Sequence, residues 1–413
     1  MEERVILHCD CNSFFASVET ALNPEYKNVP MAVCGSVEDR RGIVLAKNEL
    51  AKKYNIQTAE TVFSAKKKCP SLVIAQPHHE AYLEYSRRAN EIYKRFTDMV
   101  EPFGIDESWL DVTKSQKLFG SGVEIAEKIS KAIKEELSIT VSIGVSFNKV
   151  FAKLGSDYKK PDAITVISRD NYKNLIYGLP VSTLLFVGKK TEEALARIGI
   201  KTIGQLAASS EAMLVSRFGK VGEMLYKYAR GDDDSPVSSE AHEDSKSISN
   251  GITFRHDLTT VDEYRIGIDY LSEEIGTKLR KKNLKCSTVQ LTIKDEYLRT
   301  IQRQRQQDPP TDISSEIAKT AFEILKAEWN LGKPIRMLTV SASNIVKANT
   351  VSEQIGLFSN GEDSKRIKMR ESEKTVDKIR QKYGSDAIMK GAVLDTDLGI
   401  YTARKKKDGS DKA

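Results

Sequence analysis

The stretch Phe103-Gly-Ile-Asp-Glu-Ser-Trp-Leu-Asp-Val112 places two adjacent carboxylates, Asp106 and Glu107, among apolar residues. Burying two like charges side by side is costly unless a cation neutralises them. An acidic turn facing solvent is the commoner explanation, but Trp109 and the apolar residues after it predict a core strand. Strict alternation would send the two side chains to opposite faces, so both can bind one cation only where the backbone turns. We therefore expect the pair at a hairpin end, in a divalent-metal site.

A third carboxylate, Asp10, lies near the end of the β-rich run Val5-Ile-Leu-His-Cys-Asp-Cys11, just before a predicted helix that stops at Asn23-Pro24. The carboxyl end of a strand is where ligands commonly dock in α/β sheets. Alone, Asp10 is more typical of a capping residue. With Asp106 and Glu107 it completes a three-carboxylate set for two Mg²⁺ ions, facing the hairpin across neighbouring strands. The elements between them predict a split β-α-β sheet with helices on one face.

Length and composition bound the class of protein. A chain of 413 residues has more than one core, and we expect two to four domains. The five cysteines form no CxxC pair, which indicates small buried side chains in a reducing cytosol. The start of the chain has no apolar signal region, and no run of about 18 apolar residues occurs, so neither secretion nor membrane spanning is expected. A net charge of +6 is compatible with nucleic acid but is shared by many proteins.

Several basic residues accompany the carboxylates. Arg41 and Lys52, close to a strand and a helix start, are candidates for binding phosphates, whereas the triplet Lys66-Lys67-Lys68 is more typical of a solvated face. Lys149 and Lys153 lie four residues apart on one helical face, and Lys160 ends that helix before a proline. Because like charges at this spacing mildly destabilise a helix, they suggest an anionic partner.

Residues 168–235 are predicted to be helical, with tight glycine turns at Gly188-Lys189 and at Gly219 and Gly222. Such hairpins can offer backbone N–H groups to DNA phosphates without reading sequence. Ordinary helix–helix connections explain them equally well in isolation.

A polar linker follows, and then the strand and helix order βαββαβ over residues 248–345 predicts a separate α+β domain. Arg299, Arg303 and Arg305 share one face of a strand by period two. A solvated edge strand is one interpretation, and a basic sheet face that follows a phosphate backbone is the other. We assign Arg255, near the first predicted strand of this domain, to the same phosphate-binding surface. The tail has Gln354-Ile-Gly-Leu-Phe358, a helix from Asp363 to Tyr383 and a basic end at Arg404-Lys-Lys-Lys407.

In this order, the motifs resemble those of the Y-family, or translesion, DNA polymerases over about residues 1–360. The residues that carry the resemblance are Asp10 with Phe14-Phe15-Ala16, Arg40-Arg41-Gly42, the Ile-Asp-Glu-Ser block, Asn148-Lys149 with Ala152-Lys153, Lys160-Pro161 and the glycine-turn helices. The resemblance implies an α+β, multidomain right-hand polymerase with a mixed-sheet palm, small fingers, a thumb with helix-hairpin-helix turns and a βαββαβ little finger. The implied boundaries are palm 1–22 and 75–167, fingers 23–74, thumb 168–236, linker 237–247, little finger 248–348 and tail 349–413.

The resemblance also implies roles for single residues. Asp10, Asp106 and Glu107 would bind two Mg²⁺ ions, for which Mn²⁺ could substitute, with the Cys11 carbonyl completing one of them. Phe15 would be the steric gate against a ribose 2′-OH beside Phe14, and Lys160 would meet the triphosphate of the incoming dNTP. Where polymerase IV-type members have a Thr, a Tyr and an Arg in the fingers, this chain has Ala46, Glu49 and Lys52. Ala46, Asn48 and Lys52 look more like the polymerase V catalytic-subunit branch, and we expect Glu49 to point away or to contact Lys52 or Lys53.

The segment Gln354, Ile355, Gly356, Leu357 and Phe358 is similar to the peptide by which bacterial polymerases bind the sliding clamp. The expected function is error-prone, template-directed translesion DNA synthesis by a cytoplasmic, nucleoid-associated monomer. Its partners would be primer-template DNA, dNTPs and the clamp, with no membrane. A catalytically silent DNA-binding or clamp-docking factor remains an alternative, as does another nucleotidyl transferase or cyclase with a similar palm.

Overall fold

The structure is a computed structural model that describes residues 3–239, 246–350, 362–384, 387–394 and 396–400. The chain divides into two units, one formed by Met1–Gly35 with Ile43–Ala241 and the other by Ser36–Gly42 with His242–Ala413. Among the described helices, none has the length and apolar character that a membrane crossing requires.

A five-stranded sheet with the order β5-β6-β1-β7-β8 organises the first unit. Its strands are β1 (Ile6–Cys11), β5 (Val100–Pro102), β6 (Glu107–Asp111), β7 (Val141–Ser146) and β8 (Ile164–Ile167), and its main covering helices are α1 (Phe14–Leu22), α4 (His79–Tyr93), α6 (Gly122–Leu137) and α7 (Lys149–Tyr158). Every residue of β1 is buried, so both faces of the sheet are covered. The other elements are β2 (Met31–Cys34), β3 (Val44–Lys47), α2 (Glu49–Lys52), α3 (Val62–Lys68), β4 (Val73–Ala75), α5 (Gln116–Phe119), α8 (Tyr172–Ile176), α9 (Lys189–Ala196), α10 (Ile203–Ala207), α11 (Glu211–Phe218) and α12 (Lys220–Arg230).

The two faces of β1 meet different helices. Leu7, Cys9 and Cys11 join the core beneath α1, α4 and α6. Ile6 packs with Ala152 of α7 on the opposite face. The expectation of helices on one face only is therefore wrong. The close approach of α7 depends on Gly144 of β7, where an added Cβ would lie 1.9 Å from the Ala152 carbonyl oxygen.

The second unit is a four-stranded antiparallel sheet with the order β11-β10-β12-β9 and two long helices. Its elements are β9 (Ser247–Leu258), α13 (Val261–Lys281), β10 (Leu284–Asp295), β11 (Thr300–Thr311), α14 (Ser314–Glu328) and β12 (Ile335–Lys347), followed by α15 (Glu362–Tyr383) and α16 (Gly391–Leu394). The βαββαβ order is the predicted one. The apolar face of the sheet forms a single core with α13 and α14.

The segment after residue 361 joins this unit instead of standing apart. Arg280 of α13, whose side chain is 5% exposed, pairs with Glu373 and Asp377 of α15. Leu398 and Ile400 are buried in the same core as the sheet. The described part of the tail thus extends the core of the second unit.

Candidate active site

The acidic pair lies where the sequence predicts, at the end of a hairpin in the first unit. β5 and β6 are antiparallel, and the Phe103 amide closes the turn by donating to the Glu107 carbonyl oxygen at 2.9 Å. Asp10 of β1 is paired with Glu107 of β6, and the Cys11 amide donates to the Asp106 carbonyl oxygen at 2.9 Å. The three predicted carboxylates therefore come from the adjacent strands β1 and β6 and from the turn between β5 and β6.

Two lysines from the region of α7 contact these carboxylates. The Nζ of Lys153 lies 2.5 Å from Glu107 Oε2 and 3.2 Å from Asp10 Oδ2. The Nζ of Lys160 lies 2.7 Å from Asp10 Oδ2, and Asp157 contacts both ammonium groups. Lys153, predicted as a DNA contact, therefore lies inside the carboxylate site. The four-residue spacing places Lys149 and Lys153 on one helical face, so it does not show which of the two reaches the carboxylates.

A residue that the sequence reading missed, His8, completes the polar group. It lies two positions before Asp10 on β1, so both side chains point to the α7 face. Its side chain is fully buried, with Nδ1 2.8 Å from Ser156 Oγ and Nε2 3.3 Å from Glu107 Oε2. The period-two alternation of β1, which puts His8 on the same face as Asp10, was the sequence feature that could have identified this residue.

The charges in the site shift one another's protonation. Burial, together with the neighbouring Asp10 and Glu107, raises the pKa of Asp106 to about 6. Burial also opposes ionisation of Glu107, but contacts from His8 and Lys153 outweigh it and lower its pKa to about 2. For Lys153, burial disfavours the charge, yet Asp10 and Glu107 raise the pKa above its usual value. At Asp106, burial and the neighbouring carboxylates thus outweigh the opposing effect of Lys160 on the pKa.

The side chains fit a hard divalent cation by their chemistry. Carboxylate oxygens are the ligands that such ions prefer, and the raised pKa of Asp106 marks a place where more positive charge would be stabilising. Within the described ranges, no three His, Cys, Asp or Glu side chains are already arranged as a metal cage. The Cys11 thiol is 3.8 Å from the Tyr93 hydroxyl in the core, and burial raises its pKa to about 12. Only the backbone carbonyl of Cys11 is therefore suited to the role predicted for this residue.

The two phenylalanines after Asp10 have different surroundings. Phe14 is buried in the core, whereas Phe15 is half-buried and stacks on Tyr82 with ring centroids 4.1 Å apart. Buried Glu19 accepts a hydrogen bond from the Tyr82 hydroxyl and contacts His78 Nδ1 at 3.0 Å. Phe15, rather than Phe14, is therefore the ring held at the edge of the core.

Glu49 of the predicted fingers contacts Lys52 with 2.5 Å between Nζ and Oε1, which is one of the arrangements expected from the sequence. The Ser13 hydroxyl donates to the same oxygen at 3.2 Å. Ser13 and Glu49 border a cleft of about 400 Å³ that is also lined by Asn12, Ala16, Asn48, Thr140 and Asp162. Arg41 belongs to the second unit, where its guanidinium donates to the Thr253 carbonyl oxygen at 3.4 Å. The structure thus groups Lys52, but not Arg41, with the first unit.

Lys149 does not join the carboxylates. Its Nζ lies 2.7 and 2.8 Å from the two carboxylate oxygens of Glu101 and 4.4 Å from the Trp109 ring centroid. Both members of this ion pair are largely buried. Lys149 therefore anchors α7 to β5.

The predicted glycine turns of the thumb differ among themselves. Gly188, which precedes Lys189 at the start of α9, and Gly219, between α11 and α12, have open space where a Cβ would be. At Gly222 an added Cβ would lie 2.2 Å from the Leu214 carbonyl oxygen. Gly222 is thus required for the close packing of α11 on α12, while the backbone at Gly188 and Gly219 is accessible.

In the second unit, Arg303 and Arg305 share a face, as predicted, but it is the face that carries the helices. They pair with Glu328 and Glu323 of α14 at 3.0 and 2.7 Å. Arg299 pairs with Asp295 in the same hairpin, and Arg255 pairs with Asp39. All four arginines that we assigned to DNA are therefore engaged by carboxylates.

The strand register defines the opposite face of this sheet. Each of its three central rows, taken across β11, β10, β12 and β9, holds only amide, hydroxyl or glycine residues, and we call this surface the amide–hydroxyl face. The rows are Gln306, Thr288, Ser343 and Ser247; Gln304, Gln290, Ser341 and Ser249; and Gln302, Thr292, Thr339 and Gly251. The alternate positions, Val289, Leu291, Val340 and Ala342 among them, belong to the core. The predicted clamp peptide 354–358 lies outside the described residues.

Comparisons with known proteins agree with this organisation. Models of the impB/mucB/samB family and of its C-terminal domain match residues 9–157 and 245–357, and the thumb-domain model of DNA polymerase-iota matches 185–233. The chain is 49% identical to a DNA polymerase IV of Acetivibrio thermocellus over 95% of this chain and 98% of that protein. It is 34% identical to DNA polymerase IV 1 of Bacillus subtilis over 95% of this chain and 94% of that protein. A solved Y-family DNA polymerase chimera, Dbh-Dpo4(243-245)-Dbh, shares the fold with a TM-score of 0.74 and 24% identity, covering 83% of this chain and 99% of the chimera.

Proposed function

Because this chain belongs to the impB/mucB/samB family and is a Y-family translesion DNA polymerase of the polymerase IV type, we propose that Asp10, Asp106 and Glu107 are its catalytic carboxylates. The observation that carries the proposal is the pairing of Asp10 with Glu107 across β1 and β6, with Asp106 in the adjoining turn. When bound there, two divalent ions, most simply Mg²⁺, would activate the primer 3′-OH and neutralise the triphosphate and the leaving pyrophosphate. The three carboxylates and the Cys11 carbonyl would hold them.

Lys160 is the residue that we assign to the incoming triphosphate. Its ammonium group lies between Asp10 and Asp157, and its side chain is one-third exposed, so it can turn to a phosphate without leaving the site. A fixed positive charge at that point stabilises negative charge that develops on the phosphate oxygens. Lys52, whose partner Glu49 borders the neighbouring cleft, is the second residue that we assign to the phosphates.

Phe15 is the steric gate in this proposal. Its ring is packed against Tyr82, so it cannot swing away to admit a ribose 2′-OH without losing a stacked contact. The sugar of a dNTP, which lacks that hydroxyl, fits against the ring. Competition between dNTPs and rNTPs in primer extension measures this selectivity.

Primer-template DNA is proposed to contact two kinds of neutral surface. The N–H at Gly188 and the first N–H groups of α12 after Gly219 can be donated to phosphates, while the N–H of Gly219 itself is bound to the Val215 carbonyl oxygen at 2.8 Å. The amide–hydroxyl face can hydrogen bond along a duplex. Clamp recruitment through Gln354, Ile355, Leu357 and Phe358 rests on the sequence alone. Deleting 354–358 should reduce clamp-stimulated synthesis only, and an equal loss without the clamp would mean that the peptide is structural.

The test is primer extension by the purified protein with Mg²⁺ and dNTPs on undamaged and abasic templates. Asp106→Ala should abolish extension and leave primer-template affinity within about threefold, because removing a catalytic group does not remove the DNA surfaces. Unchanged extension by this variant would refute the carboxylate assignment. A wild-type protein that binds primer-template but does not extend it would support the alternative, a DNA-binding or clamp-docking factor without catalysis.

A further inference from the structure

His8 is a buried polar side chain for which the proposed chemistry has no role. It projects from β1 to the same face as Asp10 and is fully covered. The close packing of α7 over Gly144, its partner in β7, covers this face. A ring of this size is seldom placed beside charged groups without hydrogen-bond partners, because an unsatisfied buried polar atom costs about 1–3 kcal/mol.

The ring is held at one nitrogen and faces the carboxylate with the other. Nδ1 lies 2.8 Å from Ser156 Oγ, and Trp109 meets the ring edge-on with centroids 5.2 Å apart. Nε2 is buried without an aligned hydrogen-bond partner in the described chain, and it lies 3.3 Å from Glu107 Oε2. The Ser156 hydroxyl lies 2.8 Å from both His8 Nδ1 and the Lys153 carbonyl oxygen, and it has one proton for the two acceptors. Since an ionised carboxylate only accepts hydrogen bonds, the neutral ring suits this position with its proton on Nε2, which requires the serine hydroxyl to turn from the Lys153 carbonyl to Nδ1.

His8 and Lys153 both approach the same oxygen of Glu107. Lys153 Nζ is 2.5 Å from Oε2, and His8 Nε2 is 3.3 Å from it. With Oε2 engaged by two groups of the protein, Oε1 is the oxygen available to a cation. The ammonium group of Lys153 is carried on a flexible four-carbon stem, whereas the ring of His8 is fixed by Ser156 and by packing.

We propose that His8, anchored by Ser156, is a positioning residue that holds Oε2 of Glu107 so that Oε1 ligates a divalent cation. This inference rests on the proposed metal role of Glu107. It follows the general rule that groups bound to the far side of a ligand set its orientation and its affinity for the ion. The serine, histidine and glutamate come from α7, β1 and β6, so three elements fix one carboxylate.

The experiment measures Mn²⁺ binding by electron paramagnetic resonance, independently of turnover. The full chain is bound to a primer that ends in a dideoxynucleotide, with template and matching dNTP, so that no bond can form. His8→Phe keeps the ring but removes both nitrogens, and it should weaken Mn²⁺ affinity about 10-fold. His8→Gln, which restores an N–H donor, should stay within about threefold of wild type, and Ser156→Ala should weaken binding about threefold.

The matched control is Ser146→Ala. Ser146 is another buried serine of the first unit, and its hydroxyl donates to the Ile167 carbonyl oxygen at 2.7 Å, away from Glu107. It should leave Mn²⁺ affinity unchanged. Glu107→Gln tests the metal site itself: if this variant also binds Mn²⁺ like wild type, the proposed metal site is wrong.

If Glu107→Gln weakens binding but His8→Phe and Ser156→Ala do not, only the role of His8 is wrong. Should His8→Phe fail to fold, Ser156→Ala decides the question. That variant retains the ring and loses its anchor together with the hydrogen bond from the serine hydroxyl to the Lys153 carbonyl oxygen, so wild-type Mn²⁺ affinity in it would overturn the proposal.

Discussion

The carboxylate site of the first unit and the sheet of the second unit both use alternating strands, but they place charge in opposite ways. At the carboxylate site, Asp10 and Glu107 contact two lysines from the region of α7, partly shielded from water, and Asp106 lies in the adjoining turn. In the second unit, the arginines of β11 are paired with α14, and the other face of the sheet presents amides and hydroxyls. A basic residue at an alternating strand position therefore indicates a DNA-binding surface only when it is known which face of the sheet the helices cover.

The two arrangements suit different tasks. Catalysis of phosphoryl transfer needs concentrated, oriented charge, which is most effective where water is largely excluded. A surface that holds a duplex while the enzyme advances gains from many weak, neutral contacts. Affinity that depends on lysine and arginine contacts to phosphates falls steeply with salt, whereas amide and hydroxyl contacts release no counterions. We therefore expect the removal of a basic side chain to have a larger effect on primer extension in the first unit than on DNA binding in the second.

Among the changes that compare the two units, removal of the Lys160 charge should have the largest effect. Lys160→Met should slow primer extension about 100-fold, which is typical for the loss of one preorganised charge, with primer-template affinity within about twofold. Steady-state kinetics and fluorescence anisotropy measure the two quantities. Lys159→Met, a change of the same charge at the exposed neighbouring residue, is the control. Equal slowing in both variants would mean that net charge, not position, is responsible.

A smaller effect is expected on the sheet of the second unit. Gln304→Glu puts a negative charge in the middle of the amide–hydroxyl face and should weaken primer-template binding about 10-fold through repulsion of the phosphates. Arg303→Ala with Arg305→Ala, on the helix side, should change affinity less than about twofold and leave its salt dependence unaltered. The reverse ranking would show that DNA contacts the arginine side of the sheet and that the amide–hydroxyl face is not the DNA surface.

The smallest effect concerns the stability of the metal-free protein. The pKa of Asp106 is raised to about 6, so its stabilising protonated form is present at low pH and is lost as the pH rises from about 4 through 6. Asp106→Asn should therefore be more stable than wild type at pH 7.5 by about 1–2 kcal/mol, after a discount for partial exposure. The gain should vanish near pH 4.

Urea unfolding in the presence of a chelator, at several pH values, measures this difference. Ser249→Ala, on the uncharged face of the second unit, should show a difference from wild type that does not vary with pH. A gain for Asp106→Asn that persists at pH 4 would mean that packing, not charge, separates the two proteins.

Much of the site was predictable from local pattern. The acidic pair, its apolar flanks and the requirement for a turn placed Asp106 and Glu107 at a hairpin end, and strand-then-helix periodicity placed Asp10 before α1. The order of elements in the second unit followed from the same rules. Glu49 met Lys52 because residues three apart on a helix are neighbours.

Other features depend on which face of an element is covered. Period two shows that His8 and Asp10 share a face, and that Arg303 and Arg305 share another, but it does not say what lies against each. Helix α7 lies over the face of β1 that carries His8, and α14 pairs with the arginines of β11. Contacts such as His8 with Ser156, or Lys149 with Glu101, join residues far apart in the chain.

The sequence by itself therefore determined the types of element, the order of the domains and the three carboxylates, because these follow from local spacing and turn chemistry. The tertiary structure alone decided that Lys153 enters the carboxylate site, that His8 supports Glu107 and that the sheet of the second unit turns its neutral face outward. The physical reason is that alternation establishes which side chains lie together on an element, whereas the packing of distant elements decides what those side chains meet.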